Sequence, residues 1–127
     1  MAHKDLNAAR HRAKKLGFGK SNRTILLCMD LKEAGCASAK EMTASWKHLK
    51  KALKERHLKK HGSVVRLKMS CCDICKAGPI AVVMPDAIWY GRCTPEVIDR
   101  IIDEHLINGT PVEDFVISRP GSHEAPA

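Results

Sequence analysis

"SVVRLKMSCCDICKAGPIAVVM", residues 63–84, sets three cysteines within five positions between two apolar runs. Cys72 and Cys75 make C-x-x-C, the spacing of zinc knuckles and of thioredoxin-type disulfides, whereas Cys71 and Cys75 make C-x-x-x-C. A redox C-x-x-C ordinarily opens a helix, whose positive dipole end lowers the thiol pKa. Here "KAGPI" follows Cys75 and leads through Gly78-Pro79 into an apolar run, which leaves no room for that helix. The stretch therefore reads as strand, cysteine loop, strand.

Working outward, "TILLCM" (24–29) is a continuous apolar run consistent with a buried strand. "SAKEMTASWKHLKKALKERHLKK" is the clearest helix, opened by a capping box of Ser38 and Glu41 and stopped at Gly62. Met42, Trp46, Leu49 and Leu53 recur at helical spacing and define its buried face. After the cysteine loop, "PIAVVM" (79–84) and "AIWYGR" (87–92) read as a hairpin turning at Pro85-Asp86. Thr94 as N-cap with Pro95 behind it opens a last helix. Its apolar face is Val97, Ile98, Ile101, Ile102 and Leu106, and Asn108-Gly109 closes it. A helical crossover makes the first two strands parallel, while the hairpin is antiparallel. The expectation is an α/β, thioredoxin-like fold: a small mixed four-stranded sheet with two main helices.

The 127 residues suit one domain, divided as a basic N-terminal arm (1–22), a folded domain (23–117) and a flexible tail (118–127). The arm is expected to be mobile, with a helical turn in "LNAARHRAKK". The N-terminus has no apolar signal core, and no apolar run is long enough to span a bilayer, so the expected location is cytoplasmic with no membrane role. In a reducing compartment six cysteines point to metal or thiol chemistry rather than to a disulfide framework.

A structural zinc site commonly uses two C-x-x-C turns, and only one is present. His57 and His61 stand one helical turn apart on a lysine-crowded helix end, where two solvated histidines are the simpler account. The remaining arrangement is two loops, each following a strand and each carrying two thiols: Cys28 with Cys36, and Cys71 with Cys75. A cluster of two irons and two sulfides needs four thiolates converging from separate loops. Parallel strands ending side by side would bring these two loops to one edge of the sheet.

"LLC" and "GC" in the first loop, followed by "SCCDICKAGPIAVVMPDAIWYGRCTPEVIDRIIDEHLINGTPV", resemble the thioredoxin-like 2Fe–2S ferredoxins, relatives of the small ferredoxin-like subunit of NADH dehydrogenases. The resemblance covers roughly residues 24–117. It implies a one-electron carrier, not an enzyme, whose 2Fe–2S cluster is held by Cys28, Cys36, Cys71 and Cys75. Free-standing members are often homodimers, which makes a homodimer an expectation here as well. Cys72 stands where the family usually has an apolar residue, and Cys93 lies outside its pattern; small buried hydrophobes are the expected roles. The reading from another class is a zinc- or labile-cluster-binding sensor or interaction module with a basic partner-docking surface.

The formal charge of +8 is uneven, with basic residues concentrated before position 70 and acidic ones after 94. Lys47, Lys50, Lys51, Lys54, Arg56, Lys59 and Lys60 on the first main helix suggest docking to an acidic redox protein partner. With one Tyr, two Phe and two Trp there is little to stack on bases, and no recognition motif supports nucleic-acid binding. Trp46 and Trp89 are expected in the core or at a dimer interface. Lys76, beside Cys75, would place a cation near an anionic cluster.

Overall fold

The computed structural model describes residues 3–16, 18, 23–29, 37–58, 64–70, 74 and 76–121. Helix α1 (Lys4–Lys15) precedes β1 (Arg23–Cys28), α2 (Ala39–Glu55), β2 (Val64–Met69), β3 (Ala81–Met84) and β4 (Ile88–Tyr90). Helix α3 (Pro95–Arg100) continues into a π-helical segment, Ile101–Ile107, and a 3-10 turn, Glu113–Phe115, leads into β5 (Val116–Ser118). The sheet order is β2-β1-β3-β4-β5.

Strands β1 and β2 are parallel, as the helical crossover between them requires, and β3–β4 is the expected antiparallel hairpin. A fifth strand joins the sheet beyond the four expected. Strand β5 pairs with β4 across a register irregularity at Trp89/Tyr90, and its three residues carry too little pattern to be seen in sequence. The arm also differs from its expected single turn: α1 runs for 12 residues. It ends with Arg12, Lys14 and Lys15 in its last turn, where cations favour a helix C-terminus.

Helix α2 starts at the expected capping box. The Glu41 N–H donates to Ser38 Oγ at 3.1 Å, and the Ser38 N–H donates to Glu41 Oε1 at 3.0 Å. It stops earlier than expected, because His57 takes a left-handed conformation with φ of 59°. The Leu58 N–H then reaches Leu53 O, the His57 N–H reaches Lys54 O, and Leu58 packs onto the core. Gly62 and His61 lie outside the described residues. Thr94 caps α3 with Pro95 in the first turn, and Gly109, at φ of 76°, closes the π-helical segment by donating to His105 O.

The main core lies between one face of the sheet and helices α2 and α3. Ile25, Leu27, Leu49, Leu53, Ile98, Ile101 and Ile102 are all fully or almost fully enclosed there. Within this core Ser45 donates to Cys93 O at 2.7 Å, tying α2 to the segment before α3. No helix among the described residues is long and apolar enough to cross a membrane.

Candidate metal centre

Cys28 is the last residue of β1 and is completely buried. Its neighbours on both sides pin the strand end. The Cys28 N–H donates to Ile80 O at 2.9 Å, and the Met29 N–H donates to Met69 O at 2.9 Å. Met69, the last residue of β2, is in register with Cys28, and Cys71 is two positions further along the chain. Ile80, on the other side, stands five positions after Cys75. The end of β1 thus lies between the chain entering the second cysteine loop and the chain leaving it.

Around Cys28 a small apolar cluster forms apart from the main core. Met42 and Ile80 are its other buried members, and Met29, Ala37, Met69, Ile74 and Trp89 pack against it. Ala37 directly follows Cys36, and Ile74 directly precedes Cys75. The chain neighbours Ala37 of Cys36 and Ile74 of Cys75, with Met69 two positions before Cys71, therefore share one small cluster with the Cys28 side chain. Cys36, Cys71 and Cys75 themselves, with Cys72, lie outside the described residues. Met42 belongs to the first turn of α2, so the N-terminal end of that helix also faces this edge.

The chain leaving the second loop is stitched down. The Arg92 N–H donates to Ala77 O at 2.5 Å, and the Cys93 N–H donates to Pro79 O at 2.9 Å. Ala77 and Arg92 both have positive φ, 52° and 49°. Gly91 makes this approach possible: a Cβ there would meet Ala77 O at 3.1 Å and Ile117 Cγ2 at 3.2 Å. Sequence reading missed this role, although the glycine of "WYG" was its only signal. Lys76 is exposed beside the loop.

Cys93 belongs elsewhere. It is fully buried in the main core, with its Sγ 3.7 Å from Tyr90 O, and burial pushes its thiol pKa far up. It is a protonated, small hydrophobic side chain. Trp46 and Trp89 are half-buried, and His57 is exposed. Arg56 drops out of the docking surface, because it bridges to α3: its Nε donates to Asp103 at 2.7 Å and its Nη2 to Asp99 at 3.3 Å. That hydrogen bond to Asp103, reinforced by both carboxylate charges against burial, raises the Arg56 pKa.

A soft thiol donor in apolar surroundings suits iron–sulfur or zinc chemistry and not a hard cation, which needs oxygen ligands. The donor set available to Cys28 from the two adjoining loops is cysteine-rich, and its apolar surroundings suit a centre shielded on its inner side. Among the described residues no group of three or more His, Cys, Asp or Glu side chains gathers as a metal site.

No family model matches the chain. It is 49% identical over 49 residues to a 2Fe–2S ferredoxin of Aquifex aeolicus (strain VF5), a match covering 39% of this chain and 44% of that protein. It is 40% identical over 47 residues to a 2Fe–2S ferredoxin of Clostridium pasteurianum, covering 37% and 46%. The chain thus spans less than half the length of the curated relatives it matches. A solved thioredoxin-like 2Fe–2S ferredoxin from Aquifex aeolicus superposes with a TM-score of 0.69 at 27% identity, covering 79% of this chain and 94% of that one. Local sequence identity and shared fold agree in likening this chain to the thioredoxin-like 2Fe–2S ferredoxins.

Proposed function

We propose that this chain is a one-electron carrier whose 2Fe–2S cluster is held by Cys28, Cys36, Cys71 and Cys75. The observation that carries the reading is the seat of Cys28. Its side chain is buried at a strand end in register with Met69, in one cluster with residues one or two positions from the other three cysteines. Bound there, the cluster supplies reversible uptake of a single electron without bond-making chemistry. Met42, Ile80, Met69 and Ile74 keep water from the inner side of the site, and the paired N–H groups of Cys28 and Met29 fix the strand end that presents the first thiolate. Lys76, exposed next to Cys75, contributes a positive charge that favours the electron-bearing state.

The carrier works in the cytoplasm, where a reducing milieu keeps its cysteines out of disulfides and available as ligands. Its partner is an acidic redox protein that meets the exposed lysines of α2. Two copies pair through the sheet face away from the helices, where Leu67 and Met84 are 37% and 42% exposed.

Purification without oxygen tests the reading. A coloured protein with equal iron and sulfide is expected; colourless protein with stoichiometric zinc would assign it to the zinc-binding module class instead. Single serine replacements test the ligand set. Cys71→Ser should abolish or strongly destabilise the visible spectrum while Cys72→Ser leaves it intact, and the reverse pattern would transfer the ligand role to Cys72.

A further inference from the structure

Four arginines among the described residues are half-buried: Arg23, Arg56, Arg66 and Arg119. Three of them hold carboxylates of this chain, Arg23 on Asp86, Arg56 on Asp99 and Asp103, and Arg119 on Glu113. Arg66 is different. Its Nε is buried and has no hydrogen-bond partner among the described residues. A partly desolvated cation with no ion pair among the described residues is costly, and burial holds the Arg66 pKa below the usual arginine value.

The surroundings of Arg66 point outward to a ligand. It sits in the middle of β2, an edge strand, with its guanidinium carbon 5.6 Å from the centre of the Trp46 ring. Trp46 also carries Lys68, whose Nζ is 5.2 Å from the ring centre. Together with Lys47, Lys50, Lys51 and Lys54 of α2, Arg66 lines a shallow groove of about 430 Å³. An adjoining depression lined by Lys40, Thr43 and Lys47 continues along α2 to its N-terminal end, the end where Met42 packs beside Cys28.

We propose that this groove docks the carboxylate-bearing surface of an acidic protein, and that Arg66, its Nε buried, receives one of the partner's carboxylates on its two terminal nitrogens. The inference rests on the electron-carrier reading for the partner's role, and it places that partner over α2 and β2 beside the cysteine end. Nucleic acid fits less well. No aromatic side chain lines the groove among the described residues, and Trp46 beside it already carries two cations. A guanidinium braced on Trp and ringed by lysines is the composition of an interface anchor.

The test titrates purified protein against a fluorescein-labelled peptide of alternating Glu and Ala, and in parallel against a short single-stranded DNA. Arg12→Met, an exposed change of equal charge on α1, is the control for net charge. Arg66→Met should bind the peptide at least about tenfold more weakly than wild type, the loss expected for one charge-assisted contact, while Arg12→Met changes it little. Arg66→Lys should fall between, and added salt should weaken wild-type binding. Arg66→Met should unfold at the same or a higher temperature, since no hydrogen bond or ion pair among the described residues is broken and the apolar side chain still covers Trp46. Equal losses in Arg66→Met and Arg12→Met would overturn the proposal, and so would a lower unfolding temperature for Arg66→Met. Arg66-dependent binding that favours DNA over the peptide would overturn it in favour of nucleic acid. Iron and sulfide are measured on the same preparations. Colourless protein with Arg66-dependent peptide binding would defeat the electron-carrier reading alone, and coloured protein indifferent to Arg66 would defeat the groove alone.

Discussion

The two ends of the sheet are built from opposite chemistry. At the end where β1 and β2 finish, the described side chains around Cys28 are apolar, and the strand termini are held by backbone hydrogen bonds. From the other end, a chain of polar side chains runs inward from the surface to Tyr90, whose backbone is in register with Ala81. Arg23 Nε contacts Asp86 Oδ2 at 3.1 Å, Asp86 Oδ2 accepts from His105 Nε2 at 2.7 Å, and His105 Nδ1 lies 2.8 Å from the Tyr90 hydroxyl. The Val112 N–H donates to the Tyr90 oxygen, so the Tyr90 hydroxyl proton points to His105 Nδ1 and the His105 proton on Nε2 points to Asp86. His105 is fully buried, and burial pushes the Tyr90 phenol up to about 12. One end closes its polar network with the chain's own groups, and the other leaves a thiol among hydrocarbon. The difference separates a part that fixes the fold from a part that can receive something more.

Breaking the polar end should have the largest effect on stability and little on the cysteine end. Asp86→Ala leaves the buried His105 Nε2–H and the Arg23 guanidinium without their acceptor, and should cost about 2–4 kcal/mol in urea unfolding. The folded variant should keep the visible spectrum of wild type; a lost spectrum at unchanged stability would show that the two ends are not separable.

Gly91→Val tests the cysteine end in turn. A side chain there must displace Ala77 O or Ile117, and the overpacking should cost about 1–3 kcal/mol. It should also make the visible spectrum decay faster in air, because Ala77 leads directly out of the second cysteine loop. A destabilised variant with wild-type decay would confine Gly91 to the core.

Acid should act on the polar end first. Burial works against the Asp86 charge, but the hydrogen bonds from His105 and Arg23 and their charges outweigh it and hold its pKa below 3.8. The Arg56 hydrogen bond likewise holds Asp103 low, against burial and with the help of the guanidinium charge. With folded values depressed, the unfolded chain binds more protons as pH falls through this range. The stabilisation is complete above about pH 4 and is lost progressively below it. Urea midpoints measured from neutral to acid pH should fall most steeply there, and Asp86→Asn should flatten the slope.

The smallest effect is a gain. His57 sits in a left-handed conformation that suits glycine, so His57→Gly should stabilise by about 1 kcal/mol without touching the cysteine end. Calorimetry on the variant checks the sign.

The features legible in the sequence were those set by neighbours along the chain. Ser38 with Glu41, and Thr94 with Pro95, announce helix starts because capping is a contact over three residues. The apolar spacing of α2 and α3 likewise picked out faces that are buried. What stayed hidden depends on partners distant in sequence. Strand β5 exists because β4 offers it an edge, and the α2 terminus at His57 depends on Leu58 finding the core. The π-helical segment holds His105, whose partners Asp86 and Tyr90 come from the hairpin, and no local pattern marks it. Of the expected ligands, the position of Cys28 at a strand end was readable from "TILLCM". That Arg66 Nε has no hydrogen-bond partner among the described residues was not, because a missing partner is visible only once the neighbourhood is assembled.

The parallel pairing of β1 with β2 also imposes a schedule. About forty residues separate Cys28 from the strand that comes to lie beside it, so that contact is paid for by closing a long loop around α2. A nascent chain that has released β1 and α2 alone has Cys28 without Met69 or Ile80 around it. Only after β2 and β3 have emerged and docked on either side does the strand end acquire its walls. Maturation of this edge therefore waits for β3, and a truncated chain ending before β2 would leave its first thiol unprotected.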